Sequence, residues 1–146
     1  MDRLFARITV AAAVLALVAA VGCSSSSSSS SAGGSTSGGV SATEKDFSIT
    51  LSSSTGTAGS TTFNISNEGP STHEFVVIKT NDAPDALPVT NGSVDESGLT
   101  IVDENEAVAP STTATLTTNL DAGKYVIICN VPSHYESGMH TAFTAT

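Results

Sequence analysis

From residue 44 onward the chain is a series of short runs in which apolar and polar residues alternate, each closed by turn-forming residues. Successive side chains of an extended strand point to opposite faces. A two-residue period therefore specifies half-buried strands, and many of them in series specify an all-β sandwich or barrel. Phe47, Ile49 and Leu51 alternate with polar neighbours and predict the first strand. Ser52 to Ser60 reads as a Ser/Thr/Gly turn, and Phe63 and Ile65 mark a second strand, closed by Asn67-Glu68-Gly69-Pro70. His73 to Lys79 is β-prone and apolar on both faces after Glu74, as expected of a central strand. Thr80 to Gly98 carries two prolines and an Asn-Gly and reads as a long loop with room for one helical turn. Leu99 to Asp103, Thr112 to Leu120, Lys124 to Asn130 and Met139 to Thr146 complete the set. On the Lys124 strand, Tyr125, Ile127 and Cys129 should face one way and Val126 and Ile128 the other. Phe143 is the core residue expected of the last strand.

The N-terminus obeys different rules. Arg3 and Arg7 precede 15 almost wholly apolar residues, Ile8 to Gly22. A spanning helix needs about 18 or more, so the run reads as the apolar segment of a signal peptide, residues 1–22. It ends Ala20-Val21-Gly22-Cys23, which resembles the lipobox of bacterial lipoproteins, where the cysteine is acylated and becomes the mature N-terminus. Ala20 departs from that pattern, in which Leu is usual. An ordinary secretory signal and a helical anchor are the alternatives. Eight serines, Ser24 to Ser31, and a Gly/Ser/Thr stretch follow; neither can bury apolar surface. Residues 23–41 are thus expected to form a lipidated cysteine and a disordered tether with a reach of roughly 20–25 Å. The folded domain is expected over 42–146, held as a monomer at the outer face of a membrane, on the periplasmic or extracellular side.

Charge narrows the partners. Without the signal peptide, 3 basic residues face 13 acidic ones, a net charge of −10. Nucleic acid is excluded as a partner, because a phosphate backbone requires clustered Lys and Arg. Basic protein patches and metal cations fit such a surface better, and most of the carboxylates need no role beyond solubility.

Two cysteines are present, and acylation of Cys23 would leave Cys129 as the one thiol. In an oxidising compartment an unpaired thiol must be buried or used. Residues 129 to 140 read Cys-Asn-Val-Pro-Ser-His-Tyr-Glu-Ser-Gly-Met-His, placing a thiolate, an imidazole and a thioether within eleven residues. Soft sulfur donors favour Cu(I), imidazole suits Cu(II), and a trigonal His₂Cys site with a weak axial Met accommodates both. Such a site needs a second imidazole. Of three histidines, His73 begins a core strand, where another strand end could supply it. Each residue also has a plainer reading: Cys129 as a small core hydrophobe, His73 as a turn histidine, Met139 as a core methionine.

Cys129-x₄-His134-x₄-Met139 with a remote upstream histidine resembles the type 1 copper site of the cupredoxins, with spacing most similar to rusticyanin and sulfocyanin. Asp121 to His134 and Glu136-Ser137-Gly138-Met139 also resemble that family's C-terminal hairpin. The resemblance implies a Greek-key β-sandwich of about eight strands holding one copper ion. Cys129 would be its thiolate ligand, His73 and His134 its imidazole ligands, and Met139 its weak axial ligand. Adjacent strand residues face opposite ways, so His140 is left outside the site. Two departures stand out: Glu74 follows His73 where many cupredoxins have an Asn that ties the ligand loops, and Tyr135 follows His134 where a small or apolar residue would flatten a docking surface, unless Tyr135 is itself the aromatic part of that surface.

The function implied is one-electron transfer between envelope redox partners, a membrane-associated oxidase or reductase among them. Copper capture, delivery or detoxification through the same ligands is the alternative. Enzymatic activity is not expected: there is no nucleophile elbow or triad context, and a second copper centre would need more histidines than His140 alone. Zinc held by Cys and two His is conceivable, but zinc sites rarely use Met.

Overall fold

The computed structural model describes residues 39–146. Eleven strands follow in order: β1 (Val40–Lys45), β2 (Ser48–Leu51), β3 (Thr55–Gly56), β4 (Gly59–Asn67), β5 (His73–Lys79), β6 (Val89–Thr90), β7 (Ser93–Val94), β8 (Thr100–Val108), β9 (Thr113–Leu120), β10 (Gly123–Ile128) and β11 (His140–Ala145). One sheet has the order β2-β1-β4-β9 and the other β3-β11-β10-β5-β8, while β6 and β7 form a separate small hairpin. Apart from the two-residue β3, the two sheets hold eight strands.

The sheets meet over a core built by the alternation read from the sequence. Ala42, Phe63, Ile65, Phe75, Val77, Tyr125, Ile127, Cys129 and Phe143 all lie in it, and each is at most 2% exposed. Phe63 of β4 joins the layers, its ring centroid 5.4 Å from both Phe75 of β5 and Phe143 of β11. Such aromatic pairs contribute about 0.5–1.5 kcal/mol beyond their burial.

Val126 and Ile128 face the other side of the second sheet and join Val76, Ile78, Leu87, Val94 and Tyr135 in a second apolar cluster. This explains why β5 and β10 are apolar on both faces. The segment between β5 and β8 is a cover for the outer face: it carries the β6–β7 hairpin and the 3₁₀ turn Glu96–Gly98, and it buries Leu87 and Val94.

Two differences from the sequence reading affect the site. The first strand begins at Val40, ahead of the Phe47 alternation, and Asp46 and Phe47 form the turn between β1 and β2. Phe47 is consequently 44% exposed instead of core, because the turn breaks the alternation that Ile49 resumes. Also, β8 runs to Val108 and forms the edge beside β5, its Asp103, Glu104 and Glu106 placing charge on an otherwise pairable edge.

Candidate metal centre

The end of the sandwich where β5 starts, β10 finishes and β11 starts also carries the β1–β2 turn. His73 is the first residue of β5. Its approach is fixed by the buried Asn67, whose amide donates to the carbonyls of Ser71 and Val108 (both 2.8 Å) and accepts from the Gly69 N–H. Cys129 follows the last residue of β10.

Between Cys129 and Met139 the chain folds back through successive turns. The His134 N–H donates to the Val131 carbonyl, the Met139 N–H to the His134 carbonyl, and the Cys129 N–H to the Met139 carbonyl, each at 3.0 Å. Gly138 sits at φ 106°, in the left-handed region that favours glycine, and lets the loop enter β11. The sequence spacing is thereby converted into a cluster.

His73 Nδ1 and His134 Nδ1 are 3.3 Å apart, and Cys129 Sγ lies 3.8 Å from the first and 3.5 Å from the second. A point equidistant from three such atoms is about 2 Å from each. Metal–imidazole bonds are about 2.0–2.1 Å and metal–thiolate bonds about 2.3 Å. Three donor atoms at these separations leave a gap that fits a metal ion. A single shared proton cannot serve them all.

Met139 is fully buried in the same core cluster, and its backbone is bonded to both Cys129 and His134. His140 lies on the other face with its ring 5.1 Å from that of Tyr135, outside the cluster as alternation predicts. His73, Cys129 and Met139 have no exposure, whereas His134 retains 8% and meets the Phe47 ring edge-on at 5.0 Å. His134 is therefore the ligand candidate with a path to solvent.

Protonation follows from burial. Burial holds the His73 imidazole below its ordinary pKa, opposed by the nearby Asp46 carboxylate and reinforced by His134, so the ring is neutral and its lone pair available. Burial pushes the Cys129 thiol up to about 11, despite the backbone N–H groups of Glu74 and Val131 that it accepts from. Without a cation the thiol keeps its proton; a metal ion displaces it.

The structure also answers the two departures noted in the sequence. Burial, and after it the charges of Glu96, Glu104 and Glu106, hold the Glu74 carboxyl above its ordinary pKa, while its backbone N–H reaches Cys129 Sγ at 3.4 Å. The tying role falls to Asn130. Its side chain accepts from the Val94 N–H (2.6 Å) and donates to Glu96 Oε1 (2.7 Å), fastening the ligand loop to the covering segment. Tyr135 does not form a docking surface. It is 4% exposed, and its hydroxyl donates to the Pro84 carbonyl while accepting from the Leu87 N–H.

Sequence reasoning missed Asp46, Phe47, Asn67 and Asn130. Asp46 and Phe47 reach the site from the opposite sheet, a juxtaposition that local spacing does not encode. Asn130 adjoins a ligand and could have been suspected on that ground. Cys23 lies outside the described residues, as do the signal peptide and most of the tether. Among the described residues no helix is long and apolar enough to cross a membrane.

Comparison with known proteins places this geometry in context. The model of the sulfocyanin (SoxE) domain matches residues 54–146. No curated protein sequence matches significantly. Among solved structures, reduced auracyanin from Roseiflexus castenholzii superposes with a TM-score of 0.56 at 18% identity, covering 73% of this chain and 94% of its own. Auracyanin A from Chloroflexus aurantiacus, described as a blue copper protein, gives 0.54 at 21% identity over 73% and 96%. Rusticyanin from Thiobacillus ferrooxidans gives 0.54 at 15% identity over 73% and 76%. At these identities the superpositions establish the shared β-sandwich fold.

Proposed function

This chain belongs to the sulfocyanin family of cupredoxins, and we propose that it is a type 1 copper protein carrying single electrons between redox partners in the cell envelope. The observation that carries this reading is the convergence of His73 Nδ1, His134 Nδ1 and Cys129 Sγ on one point, with Met139 pinned beside them. Copper, when bound there, supplies a one-electron couple. The protein's contribution is to hold two imidazoles, a thiolate and a thioether in a geometry that serves both oxidation states, so that little has to move during transfer. Asn67 and Asn130 fasten the two loops that supply the ligands. The almost dry surroundings exclude water, and His134, beside the exposed Phe47, offers the shortest route for the electron to leave.

The decisive measurement is spectroelectrochemistry of the copper-loaded protein. An intense blue band should bleach on reduction and return on oxidation, with copper retained in both states in the presence of a Cu(I) chelator. Loss of Cu(I) to the chelator on each reduction would instead assign copper capture or delivery.

The N-terminal segment supports a location. Residues 1–22 act as a signal peptide, Cys23 is acylated, and the stretch between it and the start of β1 at Val40, two residues earlier than the expected boundary, tethers the domain to the outer face of a membrane. Confinement near membrane-associated oxidases or reductases raises the effective concentration of partners. Cys23→Ala should move the protein from the membrane fraction into the soluble one; a variant that stays membrane-bound overturns the anchor. The acidic surface suits partners with basic docking patches.

A further inference from the structure

The buried ring of His73 has two nitrogens, and the copper reading uses one. The other, Nε2, is wholly enclosed, and the Asp46 carboxylate oxygen Oδ1 lies 3.0 Å from it. The contact is close but off the line of an ideal hydrogen bond. Asp46 comes from the sheet opposite the ligands, and its second oxygen accepts from Ser71 Oγ at 2.6 Å, which orients the carboxylate from the far side. Space for this approach is made by Gly69: a Cβ there would lie 2.6 Å from Asp46 Oδ1 and 2.9 Å from His73 Nε2. Three separate features of the chain therefore serve one contact.

We propose that Asp46 is a positioning residue for the copper centre, forming a carboxylate–histidine–metal relay that fixes the His73 ring and biases the site toward Cu(II). The proposal rests on the copper reading above. With Nδ1 directed at the metal, the ring proton must sit on Nε2, facing the carboxylate. A carboxylate in that position orients a ligating imidazole and raises its basicity. A more basic ligand and an added negative charge both favour the more highly charged metal ion. Asp46 thus lowers the reduction potential and opposes rotation of His73 away from Cu(I). A role confined to capping Ser71 would hold the loop without this electronic effect.

Asp46→Asn keeps the shape and removes the charge. In the copper-loaded full chain it should remain blue while its preference for Cu(II) over Cu(I) falls about tenfold, a rise in potential of about 59 mV for one electron. Asp46→Glu should recover part of the shift. Glu68→Gln, which removes an exposed carboxylate paired with Lys45, should move the potential much less. A blue Asp46→Asn protein with an unchanged potential, or a shift equalled by Glu68→Gln, overturns the proposal. A second readout needs no variant. In the wild-type Cu(I) form, nuclear magnetic resonance should show a deshielded, slowly exchanging His73 Nε2 proton; a rapidly exchanging one overturns the relay. Failure of the wild type to bind copper would strike the functional reading itself, which keeps the two outcomes distinct.

Discussion

Replacing Cys129 with serine should leave a folded domain that binds copper weakly and without colour. The substitution exchanges one small side chain for another at a site with no exposure, and the backbone bonds that close the ligand loop involve the Cys129 N–H instead of its side chain. The chemical change is large. A hydroxyl is a hard donor that keeps its proton near neutral pH, so the site loses its anionic ligand and the soft sulfur that selects Cu(I). Loss of outer-shell partners typically costs about 10–100-fold in metal affinity; removal of this direct ligand should cost more, and most of all for Cu(I). Titration with Cu(II), followed by absorption and electron paramagnetic resonance, checks both parts. Wild type should turn intensely blue with one copper per chain, and Cys129→Ser should not. A blue serine variant, or a colourless wild type, would remove the thiolate from the site.

The expected effect is this large because the cluster is preorganised, and much of that preorganisation was legible in the residues. Cys129, His134 and Met139 could be read from spacing because one short loop presents all three and its turn-formers require it to double back. His73 could be chosen because only three histidines exist, His134 already belongs to the loop, and His140, next to Met139, must face the other way. The faces of β10 were readable to the residue: Tyr125, Ile127 and Cys129 lie in the inner core, Val126 and Ile128 in the outer cluster. What could not be read depends on contacts between layers. Phe47 fits a strand pattern, and only the observed turn makes it an exposed neighbour of His134. Tyr135 looked like surface because nothing in the sequence of 80–98 announces that this segment folds back and buries it through Pro84 and Leu87. Asp46 and His73 are far apart along the chain, and their proximity is a property of how two sheets meet.

Glu44 is the strongest case of chemistry hidden from the sequence, and it leads to the second large effect. It shares the inward face of β1 with Ala42, has no exposure, and neither carboxylate oxygen has a hydrogen-bond partner. Burial pushes its pKa from 4.5 up to about 8. The unfolded chain releases this proton near its ordinary value, so between about 4.5 and 8 the native state binds more protons. From this group stability is therefore full below about pH 4.5, falls as pH rises to about 8, and is level beyond. At 1.36 kcal/mol per pKa unit the loss is on the order of 3–5 kcal/mol, a large share of a small domain's stability. Other groups act oppositely at lower pH. Asp46, Asp95 and Asp121, held low chiefly by side-chain hydrogen bonds from Ser71, Ser97 and Lys79, withdraw stability as pH falls below the ordinary aspartate value. Burial of His73 withdraws it below about 6.5. Glu44→Gln isolates the term, since the amide cannot titrate and the other groups are common to both proteins. In urea unfolding of the copper-free domain, wild type should lose stability relative to Glu44→Gln between pH 4.5 and 8, and parallel curves would show that Glu44 is not a buried neutral acid. The same proton matters to copper. An ionised Glu44 raises the Cys129 pKa through its negative charge, so keeping Glu44 neutral makes the thiol easier to ionise as a metal arrives. The cost of burying this carboxyl thus accrues between about pH 4.5 and 8 and is complete above that range.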